Sequence, residues 1–202
     1  MKHFSLIYLA SGFSKRFGSN KLLSVYKERK MFEYGLESLL CAAQKHNFND
    51  EIIAVTQYQE IVEYAKAKNL KTVLNLNAKE GISESIKCGI NASSVKSDAY
   101  LFLVADQPEI ASDTVFSMMK YFEENECKIL QAAVNVKDGN SIKKIYGNPV
   151  IFSSEYKKEF LELTGDTGGK QIIKKHPEST ECFFIKNPDE LKDIDFFNDI
   201  KS

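Results

Sequence analysis

Glycine, serine, arginine and lysine stand at close spacing just after the first apolar run, in Leu9-Ala10-Ser11-Gly12-Phe13-Ser14-Lys15-Arg16-Phe17-Gly18-Ser19-Asn20-Lys21. Glycine adopts backbone angles that other residues resist, so a loop built on Gly12 and Gly18 can turn successive N–H groups onto an anion. Arg16 and Lys21 add fixed positive charge, and the pattern points to phosphate binding. A second chemical group is Asp106, in Val104-Ala105-Asp106-Gln107-Pro108, directly after another apolar run. A carboxylate there suits Mg²⁺, a hard cation that takes oxygen ligands and completes its shell with water and phosphate. The competing reading of Asp106 is a helix N-cap, although Ser112 and Thr114 lie closer to the next helix.

The elements that must position these residues follow from apolar periodicity. Strands are expected at Phe4–Ala10, Glu51–Thr56, Thr72–Asn75, Ala99–Val104, Leu130–Val136, Pro149–Phe152 and Cys182–Ile185. Between them, helices are expected over the Phe32, Leu36, Leu39, Leu40, Ala43 stripe, over Gln59–Lys68 and Ser83–Asn91, and over the Val115, Met118, Met119, Phe122 stripe. Two more are expected at Tyr156–Leu163 and Gly169–Lys175, and Asp138-Gly139-Asn140 suits a hairpin. Strands alternating with helices predict an α/β fold of three layers, Rossmann-like, around a mainly parallel, mixed sheet. Open sheets of this kind bind ligands at the carboxyl ends of their strands, where both the Gly12 loop and Asp106 fall.

The chain has 202 residues, 43% of them hydrophobic, which suffices for one core and predicts a single domain over residues 1–202. With 27 basic against 28 acidic residues the net charge is −1, so there is no overall field to draw in nucleic acid or a membrane surface. The Phe4–Ala10 run is too short to span a membrane and resembles no export signal. Cys41, Cys88, Cys127 and Cys182 are dispersed, with no C-x-x-C pair, which predicts neither a zinc site nor a disulfide framework and favours the cytoplasm. His3, His46 and His176 sit at element ends and read as structural.

Other phosphate loops are excluded by spacing. Five residues separate Gly12 from Gly18, where a Walker A loop has four followed by Gly-Lys-Ser/Thr, and the dinucleotide fingerprint G-x-G-x-x-G is missing. What remains, small-x-Gly-x-Ser-x-Arg-aromatic-Gly-x-x-Lys, resembles the signature loop of the MobA-like nucleotidyltransferases, and most of all that of the molybdenum cofactor cytidylyltransferases. Further pieces in order support the resemblance. Asp106-Gln107-Pro108 matches the family's Asp-x-Pro metal motif, and Gly81-Ile82-Ser83-Glu84-Ser85 resembles a Gly-x-Ser-x-Ser segment that helps hold the nucleoside. Taken alone that segment also reads as a helix cap. Thr164-Gly165-Asp166-Thr167-Gly168 resembles a Gly-Asp-x-Gly loop, and the tail from Asp193 to Ile200 resembles the family's closing Asp-Ile-Asp-Thr-x-x-Asp segment, with Phe196 in place of Thr, to which a packing role at the edge of the fold is assigned. Gly147-Asn148-Pro149 departs from the usual Gly-His-Pro, replacing an imidazole with an amide.

The resemblance implies a nucleotide-diphospho-sugar transferase type of fold and Mg²⁺-dependent transfer of CMP from CTP to the phosphate of molybdopterin, with release of pyrophosphate. It implies that Leu9, Ala10, Ser11, Gly12, Ser14, Arg16, Lys21, Gly81, Ser83 and Ser85 hold the nucleotide. Arg16, Lys21 and Asp106 carry the chemistry, and Asp106 with Asp166 binds metal. Gln107, Asn148, Gly165 and Asp166 face the acceptor, and Asp166 is read equally as a cap on a tight turn. Ser11, between the Ala of CTP-using loops and the Gly of GTP-using loops, favours CTP. Open beside this reading are GTP as donor, another phosphorylated acceptor, and a chaperone that delivers the cofactor to a partner molybdoenzyme without turnover.

Overall fold

A computed structural model describes residues 2–13, 20–46, 50–139 and 141–194. In chain order the strands are β1 (Phe4–Ala10), β2 (Val25–Tyr26), β3 (Arg29–Lys30), β4 (Glu51–Thr56), β5 (Lys71–Leu74), β6 (Ala99–Val104), β7 (Ile129–Asp138), β8 (Ser141–Ser153) and β9 (Thr180–Phe184). The helices are α1 (Met31–His46), α2 (Gln59–Ala67), α3 (Ile82–Ala92), α4 (Ser112–Glu124), α5 (Lys157–Glu162) and α6 (Gly169–Lys175). Seven strands form one sheet in the order β5-β4-β1-β6-β8-β7-β9, and β2 pairs with β3 in a small ribbon apart from it. Only β8 runs against its neighbours, so the sheet is mixed and mainly parallel, as expected.

The period of two along β1 explains the layering. Leu6 and Tyr8 point into one core, with Met31, Phe32, Leu36 and Leu39 of α1 and Met118, Met119 and Phe122 of α4. Ile7 and Leu9 point into the other, with Ile86 and Ile90 of α3, Phe160 of α5 and Ile172 of α6. All seven residues of β1 are buried, the condition of a central parallel strand covered on both faces. Its carboxyl end, and that of β6 beside it, can therefore be reached only through the loops that follow them.

Two differences from the expected elements concern the site. β7 and β8 extend well past the buried stretches read from the sequence and pair over their whole lengths as an arm. Lys143 and Lys144 gave no sign of burial, but cross-strand pairing keeps them extended. The register shifts between Gln131 and Ala132, with Gln131 opposite Val150 and Ala132 opposite Gly147, so Asn148-Pro149 is accommodated as an irregularity in the ladder. The second difference is at α4: its N-cap residue is Ala111, whose N–H is taken by the Glu190 carboxylate at 3.0 Å. Asp106 is thus no helix cap. Among the described residues no helix is long and apolar enough to cross a membrane.

Candidate active site

The end of β1 is fixed by the end of β4. Thr56 Oγ1 donates to Ala10 O at 2.9 Å, Gln57 Nε2 to Ser11 O at 2.7 Å and Tyr58 Oη to Gly12 O at 2.6 Å. Three successive carbonyls are thereby held toward β4. In a trans peptide the next N–H points the opposite way, so the N–H groups of Ser11, Gly12 and Phe13 are aimed away from β4. A Cβ at Gly12 would meet nothing within 4 Å among the described residues, so the space beside these groups is open. Ser11 is buried, and its hydroxyl donates to Val55 O at 3.3 Å. Thr56, Gln57 and Tyr58 were not singled out from the sequence; the available signal was a polar trio directly after an apolar strand. Ser14 and Arg16 lie outside the described residues.

Lys21 opens a one-turn 3₁₀ helix, Lys21–Leu23, whose preceding Asn20 accepts the Leu22 N–H at 3.1 Å, while Leu22 anchors the turn in the core. The turn brings the Lys21 ammonium to 2.8 Å from Asp106 Oδ2 and 3.0 Å from Ile194 O. Asp106 follows β6, and the Ala105 N–H still donates to Leu9 O at 3.0 Å, which ties the Asp106 turn to the end of β1. The side chains of the pair are 10% and 25% exposed, so the carboxylate keeps one open side. Among the described residues no three His, Cys, Asp or Glu side chains gather as a metal cluster. A lone carboxylate with an open side nevertheless fits Mg²⁺, which takes one or two protein carboxylates and leaves the rest of its shell to water and phosphate.

The nucleoside segment is scaffolding as much as surface. Gly81 has φ +112°, and a Cβ there would overlap the Gly165 backbone and lie 2.7 Å from Asp166 N. The Ser83 N–H donates to Gly165 O at 3.2 Å, so the Gly81 and Gly165 loops are built as one unit. Ser83 is fully enclosed, and its hydroxyl has no hydrogen-bond partner among the described residues. Ser85, also buried, accepts from Asn75 Nδ2 at 2.9 Å, and the Asn75 N–H donates to Thr56 O at 2.7 Å. In this arrangement the two hydroxyls expected beside the base are covered by protein, and Ser85 is linked through Asn75 to the strand end that holds Ala10. Asp166 is exposed, in a turn closed by Thr167 Oγ1 donating to Thr164 O at 2.6 Å.

Gln107 and Asn148 are separated. Gln107 is buried and donates from Nε2 to Asp193 Oδ1 at 2.8 Å and to Leu191 O at 3.3 Å. Its amide thus holds the later chain. Asn148 lines a cavity of about 870 Å³ that begins at Leu9 and Val104, the ends of β1 and β6, and runs beneath α3 and α6. Its floor is largely apolar, with Phe102, Val150 and Phe152, and Lys170 stands at its edge. The described part of the ending, assigned to edge packing from the sequence, reaches the centre of the site: the Ile194 N–H donates to Asp106 O at 2.9 Å and its carbonyl accepts from Lys21.

Comparison with known proteins agrees with the fold. The chain is 25% identical over 199 residues to the purine catabolism protein PucB of Bacillus subtilis (strain 168), covering 94% of this chain and 90% of that protein. In fold it is similar to Rv0371c of Mycobacterium tuberculosis H37Rv, with a TM-score of 0.77 at 17% identity over 99% of this chain and 96% of that one. A nucleotidyl transferase of Methanothermobacter gives a TM-score of 0.73 at 19% identity, over 98% and 94% of the two chains. The sequence pattern of the MobA-like NTP transferase domain matches residues 6–180, and with it the chain belongs to the MobA-like nucleotidyltransferases.

Proposed function

We propose that this nucleotidyltransferase moves CMP from CTP to the phosphate of molybdopterin, releasing pyrophosphate. The observation that carries the reading is the Lys21–Asp106 pair, 2.8 Å apart at the adjoining ends of β1 and β6 and beside the N–H groups that follow Ala10. An acceptor phosphate oxygen forms the new bond to the α-phosphorus as the bond to pyrophosphate breaks. The acceptor is already ionised near neutral pH, so no side chain need remove a proton. The chain's task is alignment and charge: the loop N–H groups and Arg16 hold the triphosphate, and the Lys21 ammonium stabilises negative charge as it moves onto pyrophosphate.

Asp106 is the residue that would hold Mg²⁺, and the bound cation would supply further neutralisation of phosphate charge. Rv0371c, similar in fold, has been solved in complex with manganese, which supports a divalent cation here. Asp166 enters this proposal as a second carboxylate from the loop locked to Gly81. CTP is favoured by Leu9-Ala10-Ser11-Gly12, in which Ser11 fills space beneath the loop that glycine would leave open. The acceptor's organic body belongs in the cavity lined by Asn148, where the apolar side chains of Phe102, Val150 and Phe152 suit a ring system better than a sugar.

A pyrophosphate-release assay with each nucleoside triphosphate, with and without molybdopterin, tests the proposal. Release is expected with CTP and molybdopterin together. Equal or greater release with GTP would transfer the donor assignment, and release that persists in Asp106→Asn would remove the mechanism.

A further inference from the structure

The segment after β9 binds Lys21 and the loop that follows β6 through four of its residues. Glu190 accepts the Ala111 N–H, the Leu191 carbonyl and the Asp193 carboxylate both accept from the Gln107 amide, and Ile194 bonds Asp106 with its N–H and Lys21 with its carbonyl. These contacts cover the loop from Asp106 to Ala111. Both amide protons of Gln107 are engaged by acceptors, so turning the amide over would set its oxygen against a carboxylate and a carbonyl. Its orientation is therefore fixed, and so is the backbone on either side of Asp193. Ile194 is itself buried, which holds its peptide groups in place.

The two bonds at Ile194 differ in kind from the Lys21–Asp106 ion pair. A divalent cation held by Asp106 would share the carboxylate with Lys21, whose long side chain keeps its rotamer through the bonds it makes elsewhere, the one to Ile194 O among them. A neutral backbone carbonyl does not attract a divalent cation away from a carboxylate, but it still accepts one ammonium proton. Lys21 can thus give up part of its hold on Asp106 and remain at the phosphate site.

We propose that Leu191–Ile194 is a positioning strap for the reaction: Asp193, through the Gln107 amide, sets the Ile194 peptide groups that hold Lys21 and Asp106 in register. Asp193 and Gln107 are positioning residues here, and this proposal rests on the functional reading of the Lys21–Asp106 pair. It gives Gln107 a role different from the acceptor contact expected of it.

The test uses the full chain with Asp193→Ala, Gln107→Leu, which keeps a similar volume, and Asp193→Asn, which keeps the Oδ1 acceptor. Two readouts are taken: steady-state pyrophosphate release with CTP, and Mn²⁺ binding followed by electron paramagnetic resonance. Asp193→Ala and Gln107→Leu are expected to lower kcat at least tenfold with KM for CTP within threefold, and to weaken Mn²⁺ binding at least fivefold. Asp193→Asn is expected to recover most of both, and the double variant Asp193→Ala/Gln107→Leu to be no worse than the poorer single variant. The proposal is overturned by variants within twofold of the parent on both readouts, by Asp193→Asn failing as badly as Asp193→Ala, or by a lowered Tm with kcat and Mn²⁺ binding per folded molecule unchanged. Should Asp193→Ala not fold, the Gln107→Leu and Asp193→Asn comparison decides by the same limits. If the parent chain releases no pyrophosphate with any nucleotide, the functional reading fails, and the strap is then judged by the Mn²⁺ titration alone.

Discussion

Strands β5, β4, β1 and β6 run parallel, with β4, β1 and β6 buried on both faces, whereas β8, β7 and β9 include an antiparallel pair and an arm whose outer residues are exposed. The first region ends in loops whose backbone is held by side chains from neighbouring loops: Thr56, Gln57 and Tyr58 hold residues 10–12, and Asn75 joins Ser85 to the β4 end. The second ends in a cavity with an apolar floor, lined in part by the exposed Tyr146. Under the proposed function the difference would follow the demands of the two substrates. A triphosphate is the same in every nucleotide and rewards a fixed cradle of N–H groups and cations. An acceptor is recognised by its shape, for which a bare cavity wall can change without disturbing the cradle.

The comparison breaks most visibly at the charge pair. Asp106→Asn and Lys21→Ala are each expected to reduce kcat by about 10²–10³-fold, the scale of losing one preorganised charge-stabilising group. Lys21→Ala additionally leaves a mostly covered carboxylate without its cation, and the loss is expected to stay below the roughly 3–5 kcal/mol seen for fully buried pairs. Kinetics with thermal melts separates the two effects. Retained activity in either variant would mean that the phosphate cradle lies elsewhere.

Gly81 is the junction of the two regions, since its positive φ and its close approach to Gly165 weld the start of α3 to the loop that opens α6. Gly81→Ala forces a side chain into backbone space at a strained φ. The expected cost is at least about 1–3 kcal/mol in urea unfolding, with KM raised for both substrates. An effect on one substrate alone would show that the loops move independently. Tyr58→Phe removes one hydrogen bond to Gly12 O and is expected to cost about 1 kcal/mol, appearing as a roughly fivefold higher KM for the nucleotide with the acceptor's KM unchanged.

How much of this was legible in the sequence depends on which atoms act. The layers and the mainly parallel sheet were readable because burial on both faces leaves uninterrupted runs such as Phe4–Ala10 and Ala99–Val104. Lys21 and Asp106 were expected at one edge of the sheet from their places after apolar runs, and the structure brings them to 2.8 Å of each other. Ser83 and Ser85 were readable as polar residues at a helix start, but their enclosure was not, since it depends on packing against Gly165 and Asn75. Ile194 was invisible as a site residue: it acts through its peptide N–H and carbonyl, which every residue but proline carries. The length of the β7–β8 arm was hidden for a related reason, because pairing between strands leaves no mark in local hydrophobicity.

Asn148 offers the finest test of the division. It lines the proposed acceptor cavity from β8, at the β7–β8 irregularity, while Lys21 and Asp106 pair at the ends of β1 and β6. Truncation to alanine removes one neutral hydrogen-bonding group from a partly open site, worth about 0.5–1.5 kcal/mol. Asn148→Ala is therefore expected to raise KM for molybdopterin about threefold while leaving CTP binding, measured by calorimetry, within error of the parent. A matching loss of CTP affinity would mean that the cavity and the cradle form one site, and the contrast between the regions would then be one of construction and not of function.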